Sequence, residues 1–160
     1  LEKNIRVSTV SEPNSERLEA FKTQLSRLGL PSPQIMEGLA EKMAQDRKFP
    51  LILLDSPCST SGTIARNPEV KYRISEESLA EISLIQEKLL RLAAEHLEDK
   101  GCLFYCTCSV FECENKEQIK KLLAEVPAMH CLHEEYLVPS RLNPVFKGHD
   151  ILYFAILQKE

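Results

Sequence analysis

Two cysteines in this sequence stand where a thiol could act as a nucleophile. Cys58 follows the acid Asp55 in the stretch DSPCSTSG, and Cys108 closes the stretch CLFYCTC fifty residues later. A thiolate depends less on activation than other side-chain nucleophiles do, and a neighbouring acid can protonate or hydrogen-bond a heteroaromatic substrate. Two thiols with an acid therefore favour covalent attack on an electron-poor ring.

Each cysteine follows an apolar run that is typical of a buried strand. Residues 49–54, FPLILL, are flanked by breakers and predict a strand buried on both faces, as in a parallel sheet covered by helices. Residues 102–108 repeat the pattern. Because open α/β sheets bind ligands at the carboxyl ends of their strands, we expect Asp55 and both cysteines to face one crevice.

The rest of the chain alternates strands and helices without internal repeats. Asn14 and Ser75 are suitable caps for helices over 15–28 and 76–98, and Gly29 ends the first helix. The alternation predicts a three-layer α/β domain with a mostly parallel sheet, in which the last strand pairs with the one before it. Further strands are predicted at 5–11, within PSPQIMEG, near 128–134 and at 150–157, and further helices at 39–45 and 112–124.

Length, charge and cysteine content limit the number of domains, the kind of nucleic-acid contact and the cellular compartment that this chain could have. The 160 residues suffice for one domain with a real core, and the net charge of −4 requires that any nucleic-acid contact come from a local patch. Six cysteines, four of them crowded around one strand, favour reduced thiols in a cytoplasm-like compartment. The sequence predicts neither a membrane-spanning run nor a signal peptide, and because it begins without Met we expect an excerpt of something longer.

The other cysteines have simpler interpretations. Cys102, Cys106 and Cys131 lie in apolar strands, where cysteine usually packs. Cys113 begins a helix, and packing or exposure without function is favoured there over reactivity. A zinc site formed by Cys102, Cys106, Cys108 and Cys113 would lack a C-x-x-C pair, so no metal site is predicted.

Two motifs resemble those of a known enzyme family. LILLDSPCSTSGTIARNPEVKYR, followed by GCLFYCTCSVFECENKEQI, is similar to the patterns D-[AS]-P-C-S-G-x-G…R-x-P-[DE]-x-K-[WY] and Y-x-T-C-S-x-x-x-x-E-N. These patterns are typical of the Sun/nucleolar-protein (Fmu-like) family of RNA cytosine-5 methyltransferases, and the similarity runs from the first residue to the last. The resemblance implies a Rossmann-like methyltransferase sheet, mostly parallel with an antiparallel terminal strand, and S-adenosylmethionine as the cofactor.

The resemblance also implies roles for five residues. Cys108 would attack C6 of cytosine, which makes C5 carbanion-like and able to take the methyl group. Cys58 would assist when the C5 proton leaves and the enzyme–RNA bond breaks. Asp55 would reach the ring nitrogen or amino edge of the base, or the methionine end of the cofactor. Glu12 matches the acid that holds the ribose hydroxyls, and Glu37 is the best candidate for the acid that touches adenine.

Three basic residues follow the first motif and are candidates for RNA binding. Arg66, Lys71 and Arg73 would hold RNA phosphates, although ordinary surface charge is an equally good interpretation. The base must be presented unstacked, so the target would be a cytosine of ribosomal or transfer RNA in a loop, at an end, or flipped out of a helix.

The chain departs from the family pattern in its amino-terminal part. Family members begin the catalytic domain with a strand and a glycine-rich loop that cradles the cofactor, preceded by an RNA-binding region, and neither sequence occurs here. We therefore expect residues 1–160 to be one domain, the carboxyl-terminal portion of a class I methyltransferase catalytic domain without its first strand. It would need the missing amino-terminal part as its partner and be inactive alone. Alternatively, strands 5–11 and 49–54 pair directly, because unpaired inner strands are costly.

Two other functions stay open from the sequence. One is a non-catalytic, methyltransferase-like module that binds RNA or a partner protein: the intact Cys58 and Cys108 count against it, and the absent glycine-rich loop counts for it. The other, weaker hypothesis is a thiol-based redox or metal protein.

Overall fold

The computed structural model describes residues 7–37, 47–139 and 150–160. The chain divides into two units, Leu1–Gln45 and Asp46–Glu160. Strands and helices are numbered in chain order through both units. Over the described ranges, the longest apolar helical stretches fall short of what crossing a membrane requires.

The first unit contains two parallel strands joined by a helix. β1 (Thr9–Glu12) and β2 (Gln34–Glu37) pair in parallel, and α1 (Ser15–Leu28) connects them. Both strands and the helix were predicted. β1 begins later than the predicted range 5–11, of which residues 5 and 6 lie outside the described part, and it extends to residue 12. The predicted helix 39–45 also lies outside the described residues.

The second unit is built on a four-stranded sheet with the order β3–β4–β6–β5. Its strands are β3 (Phe49–Asp55), β4 (Leu97–Thr107), β5 (Met129–Leu137) and β6 (Leu152–Lys159). β3 and β4 are parallel, whereas β6 runs antiparallel to both β4 and β5. The predicted mixed α/β class, with parallel strands and an antiparallel terminal strand, is confirmed.

The three predicted capping residues are confirmed by their hydrogen bonds and dihedral angles. The Asn14 side chain accepts the Arg17 N–H at 2.9 Å at the start of α1. The Ser75 hydroxyl accepts the Ser78 N–H at 3.2 Å at the start of the long helix of the second unit. Gly29 ends α1 with φ of +64°, a left-handed conformation that favours glycine.

Two helices of the second unit pack on one face of its sheet. α2 (Glu76–Glu95) ends before the predicted residue 98, because β4 already begins at Leu97. α3 (Lys116–Glu125) is preceded by a short 3-10 turn, Glu112–Glu114, which replaces the first turn of the helix predicted over 112–124. The shared core contains, from the helices and the sheet, Leu90, Ala93, Ala94, Leu103, Tyr105, Ile119, Leu122, Tyr153, Ala155 and Leu157.

The prediction that β3 is buried on both faces is wrong. Leu51 and Leu53 are 47% and 68% exposed, while Ile52 and Leu54 pack against the core. The reason is that α2 and α3 both contribute to one core on the same face of the sheet. A strand that is apolar from residue 49 to residue 54, without polar residues in alternation, is therefore covered here on one face of the sheet and not on both.

Direct pairing of the strands predicted at 5–11 and 49–54 is also not observed. β1 pairs with β2 in the first unit, and β3 pairs with β4 in the second. Among the described strands, β1 and β3 thus belong to different sheets.

Candidate active site

The two cysteine loops begin at the same end of neighbouring parallel strands. β3 ends at Asp55, whose partner across the ladder is Cys106 of β4, and the Ser56 N–H donates to the Cys106 carbonyl at 3.0 Å. Parallel strands present their carboxyl ends at one edge of a sheet. The loops that carry Cys58 and Cys108 therefore lie side by side.

The structure brings the two cysteines into direct contact. The sulfur atoms of Cys58 and Cys108 are 3.2 Å apart, and both side chains are half-buried. The Gly62 N–H donates to the Cys108 carbonyl at 2.8 Å, and the Ile151 N–H donates to the Gly62 carbonyl at 3.0 Å. A Cβ at position 62 would lie 2.9 Å from the Cys108 carbonyl oxygen and closer still to that of Ile151. This close approach of three backbone segments requires glycine.

The contact between the sulfurs separates the acidities of the two thiols. A hydrogen bond from Cys108 lowers the pKa of Cys58 from 9.0 to about 7, against the opposing effect of burial. The same bond, with burial and the neighbouring Cys58 charge, raises the pKa of Cys108 far above its ordinary value. The pair therefore loses its first proton more readily than an isolated thiol does, and the directions of the two pKa shifts favour Cys58 as the thiolate and Cys108 as the donor.

A third cysteine contacts the acid at the end of β3. The Cys106 thiol lies 3.7 Å from Asp55 Oδ1, and burial together with the Asp55 carboxylate raises the pKa of Cys106 to about 12. Cys106 is therefore a thiol at neutral pH. The prediction that Cys131 packs inside a strand is wrong, because it is exposed on β5, an edge strand. Cys102 and Cys113 are half-buried.

A buried acid next to the cysteine loops was missed by the sequence analysis. Glu114 is 0% exposed. Its Oε1 accepts the Ser59 N–H at 2.8 Å, and its Oε2 accepts the Ser59 hydroxyl at 2.6 Å and the Ser109 hydroxyl. The signal that could have found it is the E-N pair that closes the second motif.

The three predicted RNA-binding cations have different surroundings. Arg66 forms a two-pronged ion pair with Asp150, with N–O distances between 2.7 and 2.9 Å. Lys71 Nζ lies 4.9 Å from the centre of the Tyr72 ring, and Tyr72 is 81% exposed. Arg73, directly after it, is exposed. Lys71 and Arg73 thus present their charge to solvent, whereas the charge of Arg66 already has an acidic partner.

The acids predicted to hold the cofactor lie at the carboxyl end of the first unit's sheet. Glu12 and Glu37 are the last residues of β1 and β2 and pair with each other in the parallel register. Glu12 Oε1 accepts the Asn14 N–H at 2.8 Å, which orients its carboxylate at the strand end. The side chain of Glu37 lies outside the described part of the chain.

Comparison with known proteins identifies relatives over most of the sequence. Residues 1–154 match the family model described as 16S rRNA methyltransferase RsmB/F. The chain is 33% identical over 150 residues to ribosomal RNA small subunit methyltransferase B of Vibrio vulnificus (strain YJ016), covering 92% of this chain and 35% of the relative. It is 32% identical over 148 residues to the protein of the same name from Vibrio cholerae, covering 90% and 34%. The chain thus spans about a third of the length of these curated relatives.

Two solved structures share the fold. NSun6 from Pyrococcus horikoshii, determined with SFG, superposes with a TM-score of 0.81 at 19% identity, covering 94% of this chain and 41% of that chain. A methyltransferase homologue from the same organism superposes with a TM-score of 0.75 at 24% identity, covering 96% and 53%. SFG, the ligand in that NSun6 structure, is an analogue of S-adenosylmethionine.

The family match extends over both cysteine motifs and both units. The two motifs that carried the resemblance in the sequence are the segments whose cysteines meet in the structure. The chain belongs to the RsmB/F (Sun) family of ribosomal RNA methyltransferases.

Proposed function

We propose that this chain is the cysteine-bearing part of an S-adenosylmethionine-dependent enzyme that methylates C5 of a cytosine in ribosomal RNA. The observation that supports this most directly is the 3.2 Å contact between the sulfurs of Cys58 and Cys108. A reaction that uses one cysteine to attack a base and another to complete the turnover needs both sulfurs at one ring. The relatives are named as ribosomal RNA methyltransferases, which favours ribosomal RNA over transfer RNA as the substrate.

The first step of the proposed reaction is attack by Cys108. The Cys58 thiolate accepts the Cys108 proton across the 3.2 Å contact as the Cys108 sulfur bonds to C6 of the cytosine. Electron density moves from the broken C5–C6 double bond to C5. Asp55, exposed at the end of β3, would hydrogen-bond either the polar edge of the base or the methionine end of the cofactor.

The second half of the reaction restores the ring. The bound cofactor supplies a methyl group, activated on a sulfonium, to C5. Cys58, after its first proton has passed to solvent, assists removal of the C5 proton. The electron pair of that C–H bond reforms the C5–C6 double bond and expels Cys108 as a thiolate. The C5 proton then passes from Cys58 to Cys108, so both cysteines return to their starting state.

The acids at the strand ends fit the polar parts of S-adenosylmethionine. Glu12, oriented by the Asn14 N–H, would accept from the ribose hydroxyls, because a carboxylate can take both hydrogen bonds. Glu37 ends the neighbouring strand in register and would hold the adenine. Asp55 is the candidate for the methionine end.

The RNA phosphates would be held by the loop after the first motif. Lys71 and Arg73 are exposed there, next to the exposed ring of Tyr72. With a net charge of −4, the chain would rely on this local positive charge and on other parts of the protein for RNA affinity.

The proposal extends to the rest of the catalytic domain. Both units would belong to one class I methyltransferase domain, completed by an amino-terminal part that supplies the first strand and the glycine-rich loop. The chain covers 35% of a curated relative, which leaves room for such a part. Six unpaired cysteines suit a cytoplasmic enzyme, because the cytosol keeps thiols reduced.

The experiment that tests this function is covalent trapping with Cys58→Ala in the full-length protein. Loss of Cys58 removes the cause that most raises the pKa of Cys108. Cys108 can then lose its proton to solvent and still attack, whereas the second half of the reaction stalls for want of Cys58. With S-adenosylmethionine and ribosomal RNA, we expect an RNA–protein adduct on a denaturing gel. The adduct should disappear in the variant that carries both Cys58→Ala and Cys108→Ala.

The matched control is Cys131→Ala in the Cys58→Ala background, because Cys131 is exposed on an edge strand. It should leave the adduct unchanged. Absence of an adduct with folded protein across a panel of ribosomal RNAs would contradict the proposal and favour a non-catalytic, RNA- or protein-binding module.

A further inference from the structure

Glu114 is a carboxylate with no exposed surface and an unusually complete set of donors. Its two oxygens accept from the Ser59 N–H, the hydroxyls of Ser59 and Ser109, and the Gln86 side-chain amide at 3.2 Å. All four donors are uncharged groups. A carboxylate buried in this way is tolerated only while its hydrogen bonds are made, so these contacts hold their partners firmly.

The residues that Glu114 holds are the immediate neighbours of the two cysteines. Ser59 follows Cys58, and Ser109 follows Cys108. Both serine hydroxyls donate to the same oxygen of Glu114, Oε2. One carboxylate therefore joins two loops that are fifty residues apart in the chain.

Two further contacts strengthen this junction. The Gln86 amide that donates to Glu114 also donates to the Pro57 carbonyl at 2.9 Å, directly before Cys58. Ser61 accepts the Val110 N–H at 3.0 Å, and its hydroxyl oxygen lies 3.2 Å from that of Ser109. The two loops are thus connected by the Glu114 carboxylate and, independently of it, by the Ser61 hydroxyl.

We propose that Glu114 is a positioning residue that clamps the two cysteine loops together and thereby sets the distance between the sulfurs of Cys58 and Cys108. Its carboxylate contacts the serines and Gln86 rather than either sulfur, so it acts through the loops and not on the reacting atoms. The inference rests on the proposed function, because only a reaction that uses both sulfurs on one base depends on their separation.

If Glu114 acted only through its negative charge, its loss would shift the pKa of Cys58 in the direction opposite to the one that loss of a clamp predicts. The negative charge of Glu114 raises the pKa of Cys58, although it is the smallest of the contributions. Loss of this charge alone would therefore lower the pKa. Loss of the clamp would weaken the hydrogen bond from Cys108, which is the largest contribution and lowers the pKa of Cys58. A clamp thus predicts a rise.

The test is Glu114→Gln in the full-length protein, with the sulfur separation read by cross-linking. The glutamine has nearly the same shape, but its NH₂ group is a donor. It must face groups that donated hydrogen bonds to the carboxylate, and two donors that face each other repel, so the loops are pushed apart. The probe is diamide, which takes the two electrons and two protons released when two thiols join in a disulfide. The Cys58–Cys108 bond is identified by peptide mass spectrometry. We expect it to form about ten-fold more slowly than in the unaltered protein.

Two further readouts accompany the cross-link. The pH midpoint for alkylation of Cys58 should rise above about 7. The kcat for methyl transfer to ribosomal RNA should fall about 100-fold, as expected for reacting groups misplaced by about an ångström, with KM for RNA little changed. The matched control is Glu112→Gln, because Glu112 lies in the same 3-10 turn but is exposed, and all three readouts should stay at their original values.

The inference is overturned if folded Glu114→Gln protein forms the Cys58–Cys108 disulfide within about twofold of the original rate, or if the midpoint of Cys58 falls. Should Glu114→Gln not fold, Ser109→Ala removes one arm of the clamp and must slow the same cross-link; an unchanged rate overturns the inference equally. The cross-link uses neither RNA nor cofactor, so failure of the methyltransferase proposal and failure of the clamp give distinguishable results.

Discussion

Cys58 and Cys108 share one hydrogen bond, so neither thiol titrates independently of the other. The proton that lowers the pKa of Cys58 is carried by Cys108, which in the proposed reaction loses it as its sulfur bonds to C6. In that reaction a single contact would supply both the base and the nucleophile. Cys106 lies in β4, two residues before Cys108. Burial and the neighbouring Asp55 carboxylate raise its pKa, whereas the pKa of Cys58 is lowered.

At the residue scale we predict that Cys108→Ala raises the pH midpoint for alkylation of Cys58 from about 7 towards 9.0. The thiolate of Cys58 loses its donor, while burial continues to oppose the charge. Iodoacetamide labelling across the pH range, followed for the Cys58 peptide by mass spectrometry, measures the midpoint. Cys108→Ser retains a donor and should give a midpoint closer to 7 than the alanine variant does. A midpoint that stays near 7 in Cys108→Ala would contradict the hydrogen bond as the cause.

At the scale of the element, the loop after β3 combines a strained residue with a tightly packed one. Thr60 has φ of +57°, a conformation that is rare for a β-branched residue. It stands where the family pattern quoted above has its first glycine, while Gly62 stands at the second and lies against the Cys108 carbonyl. The loop thus keeps the backbone course of a glycine-rich turn with a threonine inside it, and the surrounding contacts must offset the strain.

We predict that Thr60→Gly is more stable than Thr60→Ala by about 1 kcal/mol. Both substitutions remove the hydroxyl that donates to the Ser59 carbonyl at 2.7 Å. Only glycine also removes the steric cost of the left-handed conformation, about 1–2 kcal/mol. The larger conformational entropy of glycine in the unfolded chain offsets part of that gain. Urea unfolding of the two variants, with the unaltered protein as reference, gives the difference in free energy. An alanine variant as stable as the glycine variant would show that position 60 is not strained.

At the scale of the whole molecule, buried apolar residues are divided unequally between the units. Among residues 7–37, Leu18 is the one apolar residue that is buried, whereas the core of the second unit contains buried side chains from α2, α3 and three strands. The sheets differ as well, since β1 and β2 have four residues each and β4 has eleven. Resistance to local opening follows buried contacts, so the second unit should be the more protected.

The corresponding prediction concerns amide hydrogen exchange in the full-length protein. Amides of β4 and β6 should exchange at least about 100-fold more slowly than those of β1 and β2. Exchange followed by mass spectrometry, or by NMR where signals resolve, gives both rates in one sample. Equal protection of the two sheets would mean that the first unit gains stability from parts of the protein beyond its own small core.

The elements were predictable because their signals are local. Asn14, Gly29 and Ser75 mark helix ends through bonds to residues three or four positions away, so their neighbours in sequence suffice to identify them. The motifs around Cys58 and Cys108 were likewise readable, since each follows an apolar run. The boundary between α2 and β4 was harder to predict. The helix was predicted to continue to residue 98, whereas the strand already begins at Leu97.

The sequence by itself determined the order of strands and helices, the two cysteines at strand ends, and the family. Only the tertiary structure decided which face of β3 is covered, that Glu114 joins the two cysteine loops, and that the two thiols share a hydrogen bond. The physical reason is the range of the interactions. Periodicity and capping act within a few residues of the chain, whereas burial and the hydrogen bond between Cys58 and Cys108 depend on groups that meet only after folding.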